Sequence, residues 1–170
     1  MKKYEFTGEI KTVDLWSRVA TLHRIRAVAE FGLVKVGDLG GWIEKEENLS
    51  HEGKAWVCGN AEVCGDAKVC GDAKVCGNAK VCGDAEVFSA SHVLVIGAIG
   101  SRDDFTTFFR DKDNEITVKC GCFLGKIDKF LEKVTQTHGD SKYALVYRAA
   151  VEVAKLQIDL FGEAPKDADE

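Results

Sequence analysis

Between residues 57 and 86 the chain reads VCGNAE VCGDAK VCGDAK VCGNAK VCGDAE, so its apolar positions recur every six residues. Val57, Val63, Val69, Val75 and Val81 are each followed four places later by an alanine, at 61, 67, 73, 79 and 85. A strand turns successive side chains to opposite faces, so the first and fifth positions of each word share a face. Both are apolar, and that face is predicted to be the interior. Gly followed by Asp or Asn supplies turn chemistry, because Gly accepts positive φ and Asx side chains bond to nearby backbone. The chain is therefore expected to bend every six residues. A six-residue unit cannot bury a core alone, so the words must stack on one another.

The pattern differs on either side. Residues 3–13 and 19–28 have strand character, with Val19, Thr21, His23 and Ile25 alternating against Ala20, Leu22, Arg24 and Arg26. VKVGDLGGWIE adds turn glycines and Trp42, which can cover an open core, so 1–48 reads as a β-rich cap. Arg24 and Arg26 on one strand face could bind an anion, or pair with Glu30, Glu44 or Glu46. The hexamer register extends weakly through HEGKAW (51–56) and through VFSASH and VLVIGA to about residue 98, giving a repeat segment over 49–99. After Gly100 two strands, about 105–110 and 115–120, are joined by DKDN as a β-hairpin. Apolar residues at 127, 130, 131 and 134 then predict a helix with Gly139 at its C-cap. Asp140 or Ser141 caps a second helix, apolar on most sides and so expected to be largely buried. Residues 100–162 thus form a small α+β domain, and the acidic residues 163–170 a frayed tail.

An aliphatic residue followed four later by a small one, repeated every six, resembles the hexapeptide-repeat proteins. The stretch TLHRIRAVAEFGLVKVGDLGGWIEKEENLSHEGKAWV is also similar to the leader preceding such repeats in small proteins of bacteria and their phages. The resemblance implies a mainly β fold, a short left-handed parallel β-helix of triangular section with three words per coil, and assembly as a homotrimer. Three words per coil would stack Glu62 under Lys80 and Lys68 under Glu86, both pairs of opposite charge. It would also place Cys58 near Cys76 and Cys64 near Cys82. Two readings of those cysteines follow: a thiol ladder that binds metal or senses oxidation, or small polarizable residues surfacing the rod against a neighbouring subunit. The second is the simpler. Fewer than three coils leave open ends, which the flanking segments are expected to cap.

Composition narrows the function classes. With 170 residues there is room for one ordinary or two small domains, and a net charge of −5 argues against a protein built to grip nucleic-acid phosphates. No stretch approaches the roughly 18 apolar residues of a membrane span. MKKYEFTGEIKTV alternates polar and apolar residues unlike a secretory signal. Seven cysteines, an odd number without an export signal, read as reduced thiols in the cytoplasm. Their C-x5-C spacing does not suit zinc. In Cys120-Gly121-Cys122, strand alternation would hold the two thiols some 6–7 Å apart, about the upper limit for a bridge.

The repeat presents the same chemistry on every face, so specific function is expected after residue 100. There Ser101, Cys120, Cys122 and Arg148 accompany a candidate ligand set of Arg102, Thr106, Thr107, Arg110, Lys119, His138, Tyr143 and Tyr147. Guanidinium forks suit phosphate and rings suit stacking, which together fit a phosphorylated or nucleotide-like small molecule. No catalytic residue, metal or cofactor is expected. Hexapeptide acyltransferases use a histidine base between neighbouring β-helices. Here the regular words lack histidine, His51 and His92 lie at the ragged ends, and His138 reads as a helix-ending residue interacting with the dipole. The expectation is a non-catalytic, homo-oligomeric binding protein that binds neither membrane nor DNA. A narrower form is a phage protein that sequesters a nucleotide signal of host defence or blocks a defence protein. An acyltransferase and a structural scaffold are the alternatives.

Overall fold

The computed structural model describes residues 1–15 and 17–160; the acidic tail expected over 163–170 lies outside the described residues. The fold is mainly β, with two helices at the C-terminal end. Strands β1 (Tyr4–Asp14), β2 (Val19–Ala27) and β3 (Leu39–Ile43) form an antiparallel N-terminal sheet. The words then give two-residue strands: β4 (Trp56–Val57), β5 (Glu62–Val63), β6 (Lys68–Val69), β7 (Lys74–Val75), β8 (Lys80–Val81) and β9 (Glu86–Val87).

The first three words pair in parallel, each with the word three places on. Val57 lies opposite Val75, Val63 opposite Val81 and Val69 opposite Val87. The predicted stacks of Glu62 on Lys80 and Lys68 on Glu86 are both present. Backbone bonds such as Cys58 N to Val75 O (2.9 Å) and Cys64 N to Val81 O (3.0 Å) repeat the same step. The valines and alanines of all five words meet in one core, each 1% exposed or less. The third-position glycines hold φ between 62° and 68°. At Gly59 a second constraint applies, since a Cβ there would lie 3.2 Å from the backbone nitrogen of Gly77.

Upstream the register lengthens to twenty residues, pairing Trp42 with Glu62 and bridging Leu49 to Val69. Buried Asn48 fills this wider turn: its Nδ2 donates to the carbonyls of Gly65 and Ala67, and its Oδ1 accepts from the Glu44 and Lys45 amides. Tyr4, Ile25, Ile43 and Trp56 close the upper end of the core. Trp42, expected as that lid, instead packs over an outer face with Ala20, Leu22, Cys64 and Cys82. The simple alternation expected along β2 also fails: Ala20 and Leu22 face that outer layer, whereas Ile25 and Ala27 face the main core. One strand serves two cores because it crosses from a side of the repeat to its end.

The lower end departs further from expectation. The hexamer register stops at Val87, and VLVIGA belongs to β10 (Val93–Ile99). With β11 (Asp104–Arg110), β12 (Ile116–Cys120) and β13 (Phe123–Lys126) it forms an antiparallel four-stranded sheet in chain order. The predicted hairpin is therefore the middle of a meander. Residues Gly121 and Cys122 form a two-residue turn between β12 and β13, not the continuous strand assumed for Cys120-Gly121-Cys122. Glycine at the first of the two positions, with φ 57°, suits a tight hairpin turn.

Consecutive residues of β11 divide between two cores. Phe109 joins the valines of the repeat, with Val93 and Val95 beside it. Phe108 joins Val118 and the helices α1 (Ile127–His138) and α2 (Lys142–Gln157). Gly139 takes the C-cap of α1 as predicted, with φ 57°. The second helix is not largely buried. Ala144, Tyr147, Ala150, Val151 and Ala154 face inward, while Leu145, Val153 and Leu156 are exposed. One sheet face offers enough apolar area for a single side of a helix, and α1 takes a share of it.

Two expectations about the cysteines are corrected. Cys58 and Cys76 form a disulfide, with Cα atoms 4.6 Å apart, so the chain is not a set of reduced thiols. Parallel stacking puts both side chains on the same side of neighbouring strands at a separation that a bridge spans. Cys64, Cys70 and Cys82 are buried, so they do not surface the repeat. The N-terminal hairpin lies over two of them.

Candidate functional site

The lower sheet and its helices line a cavity of about 170 Å³ that opens to the surface. Its aromatic wall is made by Phe123 from β13, Phe130 and His138 from α1, and Tyr147 from α2. Positions 130, 133, 134 and 137 follow helical spacing and so present one face of α1 to it. Arg102 and Lys133 bring positive charge to the lining, Asp104 negative charge, and Ser101 and Thr137 bring hydroxyls.

The rings are held in place by one another. His138 stacks on Tyr147 with centroids 5.7 Å apart and planes 28° apart, and Phe130 meets Tyr147 edge-on at 5.7 Å. Phe123 lies 5.5 Å from Phe130. The Tyr147 hydroxyl faces the Cys120 thiol, which accepts from Thr106 Oγ1 at 3.4 Å. Burial, then the neighbouring thiol, pushes the Tyr147 phenol up to about 12, so it is a neutral donor at physiological pH. Gly100 makes this placement possible. A Cβ there would fall 1.8 Å from the Tyr147 hydroxyl oxygen, and its φ of 81° disfavours any other residue.

Of the predicted ligand residues, the cavity gathers Arg102, His138 and Tyr147, along with Ser101, Cys120 and Cys122. Tyr143 lies beside His138 at 5.8 Å, outside the lining. Lys119 donates to the Gly121 carbonyl and faces other cavities. Thr106, Thr107 and Arg110 are buried in β11. Thr107 Oγ1 accepts the Lys80 amide at 3.0 Å, and Arg110 donates to the Glu86 carbonyl and to Asn114 while lying over the Phe88 ring. Arg148 donates to Gly139 O at 2.9 Å and to Thr135, tying the end of α1 to α2. The reading of the sequence missed Phe123, Phe130, Lys133 and Thr137. The α1 periodicity carried the signal for the last three, since it places 130 and 137 on the face of 134.

The remaining histidines and arginines are engaged in structure. His51 Nδ1 accepts the Lys3 amide and its ring stacks on Tyr4 at 4.2 Å. His92 Nδ1 accepts the Phe88 amide at 3.0 Å. Burial lowers the pKa of both. Arg26 pairs with Glu5 at 2.7 Å and Arg24 with Glu9 at 3.6 Å, not with the glutamates anticipated. Among the described residues no helix is long and apolar enough to cross a membrane. No protein-family model matches the chain, and a search of curated proteins found no match either.

Proposed function

We propose that this chain is a non-catalytic, self-associating binding protein whose C-terminal cavity receives a small ligand with an aromatic ring and a negative charge. The observation that carries this reading is the layered wall of Phe123, Phe130, Tyr147 and His138 with Arg102 and Lys133 beside it. Rings offer stacking area to a flat heterocycle, and the two cations offer charge-assisted bonds to phosphate. A nucleotide-derived molecule combines both features. The cavity, about 170 Å³, falls below the roughly 300 Å³ at which pockets enclose drug-sized ligands, so it seats one ring and leaves the rest outside.

The proposal takes the repeat to be a left-handed parallel β-helix of the hexapeptide type, serving as a trimeric platform. The eighteen-residue parallel pairing and the shared valine core support that architecture. An exposed apolar groove of about 990 Å³, walled by Phe31, Leu33, Leu39 and Trp56, supports self-association. A phage origin and sequestration of a nucleotide signal of host defence form the narrower version.

Acyl transfer is disfavoured because His51 and His92 spend a ring nitrogen on backbone amides and have lowered basicity. One observation favours a second reading, in which the chain blocks a defence protein: α2 exposes Leu145, Val153 and Leu156, spaced as one helix face. Native mass spectrometry of freshly purified protein reports subunit number and retained small molecules together. Thermal unfolding against cyclic di- and trinucleotides and ADP-ribose derivatives then checks binding, since a ligand at 100 times its Kd adds about 2.7 kcal/mol. Binding lost in Arg102→Ala and Tyr147→Leu supports the cavity; no shift with any ligand rules out sequestration.

A further inference from the structure

Two cavities, of about 410 and 220 Å³, open beside the face of the repeat that the N-terminal hairpin covers, and Cys64 and Cys82 line both. The two side chains follow paired strands and line the same two cavities. Their backbone placement repeats that of the neighbouring disulfide. Cys58 and Cys76 directly follow the parallel pair Val57 and Val75, and Cys64 and Cys82 directly follow the pair Val63 and Val81. The ladder bond that fixes each step is also equivalent, at 2.9 Å from the Cys58 amide and 3.0 Å from the Cys64 amide. On the third face Cys70 follows Val69, but Phe88 follows Val87, so that face has no second thiol.

The surroundings distinguish the two sulfurs. Lys119 and Lys80 face Cys82, and Glu62, its acidic neighbour, holds Lys11 at 3.1 Å. Cys64 faces the Arg18–Glu44 ion pair, whose opposite charges largely offset one another. The contact between the two thiols, with burial, raises the pKa of Cys64, and it lowers that of Cys82 despite burial, with Lys119 favouring the Cys82 thiolate further. An attacking thiol must be ionised, and a resolving thiol must lie within bridging reach. Among the described residues no group of three or more metal-ligating side chains converges, which favours sulfur exchange over metal capture.

We propose that Cys64 and Cys82 form a thiol–disulfide exchange site for small organic disulfides, with Cys82 attacking and Cys64 resolving. The Cys82 thiolate bonds to one sulfur of the incoming disulfide and expels the other half as a thiolate. Cys64 then gives up its proton to that thiolate, attacks the Cys82 sulfur, and expels the second half, which takes the proton first lost by Cys82. Two protein thiols are oxidised to a cystine and one small disulfide is reduced to two thiols. The new bond links β5 to β8 beneath the N-terminal hairpin.

The test uses the full chain with its Cys58–Cys76 bridge intact, incubated with oxidised glutathione or, separately, with cystamine. Peptide mapping without reductant is expected to recover Cys64 linked to Cys82 from the unsubstituted protein. Cys64→Ala should trap the small thiol on Cys82, whereas Cys82→Ala should leave Cys64 unmodified and consume disulfide at least about tenfold more slowly. Alanine fits these small buried positions, and unchanged circular dichroism confirms folding. Recovery of Cys64 and Cys82 as free thiols while Cys120 or Cys122 carries the label would overturn the proposal. An adduct on Cys64 in Cys82→Ala would overturn the assigned roles.

Discussion

Replacing Phe109 by alanine tests whether the C-terminal sheet is a separate appendage or the floor of the repeat. Phe109 is fully buried and packs with the valines of the repeat, while its neighbour Phe108 is fully buried among the helices. Removing a buried phenylalanine costs about 3–5 kcal/mol in lost transfer energy and residual cavity. With a urea slope of about 2 kcal/mol/M, the unfolding midpoint should fall by about 1.5–2.5 M. Two probes report on different regions. All three tryptophans of the chain lie at positions 16, 42 and 56, so their fluorescence follows the N-terminal part and the repeat, and far-UV circular dichroism follows the two C-terminal helices. If β11 is shared, the unsubstituted protein unfolds in one coincident transition, and Phe109→Ala moves both signals together. Phe108→Ala should also move both. A Phe109→Ala protein in which the helix signal shifts and the fluorescence transition stays in place would refute the shared core.

Three further outcomes follow from individual contacts. Gly100→Ala should destabilise the fold by about 1–2 kcal/mol from its left-handed backbone alone, and more where its methyl meets the Tyr147 hydroxyl; equilibrium urea unfolding reads it, and a neutral result would remove the close approach. His92 and His51 have pKa values lowered by burial, so the unfolded chain binds more protons near pH 6. Stability is thus fully present above about pH 6.5 and falls as pH drops toward the folded values, and His92→Asn should flatten part of that slope in urea midpoints taken from pH 7 to 5. Reducing the Cys58–Cys76 bridge, which closes an 18-residue separation, should cost about 3 kcal/mol of stability, read as a lower midpoint in the presence of a strong reductant.

How much of this was legible in the sequence differs by element. The valine and alanine axis was, because a six-residue period with turn glycines permits no other interior. The stacks of Glu62 on Lys80 and Lys68 on Glu86 followed once three words made a turn. The stop at Val87 was not, because VLVIGA satisfies both the hexamer pattern and an ordinary strand. Pairing with β11 decides between them, and that is a contact between residues far apart in the chain. Cysteine environments were equally hidden. Five near-copies of one word place their cysteines in equivalent local geometry, yet Cys58 is bridged, Cys64 lies under the N-terminal hairpin and Cys70 follows the Val69–Val87 pair beside Phe88. Repetition fixes backbone position, and what covers each face is set by segments that do not repeat.

The fate of the candidate ligand residues has the same origin. A parallel stack of few turns exposes unpaired amides and carbonyls at both ends, and each must find a partner. At the lower end Thr107 accepts the Lys80 amide, Arg110 donates to the Glu86 carbonyl, and Asp84 O accepts the Lys112 amide. At the upper end the Lys3 ammonium takes the Ala55 carbonyl at 2.7 Å and the Tyr4 hydroxyl takes that of Leu49. Hydroxyls and guanidinium groups chosen for such ends have the same composition as a phosphate site, which is why Thr107 and Arg110 read as ligand residues. Among the polar groups that face the C-terminal cavity, Arg102, Lys133, Ser101, Thr137 and His138 come from the turn after β10 and from α1, and the side-chain hydrogen bonds named above at the ends of the ladder use none of them. Binding chemistry in a short capped repeat is therefore best sought among cap residues that remain after the ladder ends are satisfied. By that criterion substitutions at Arg102 and Lys133 should alter ligand affinity with little effect on stability, and substitutions at Thr107 and Arg110 should do the reverse.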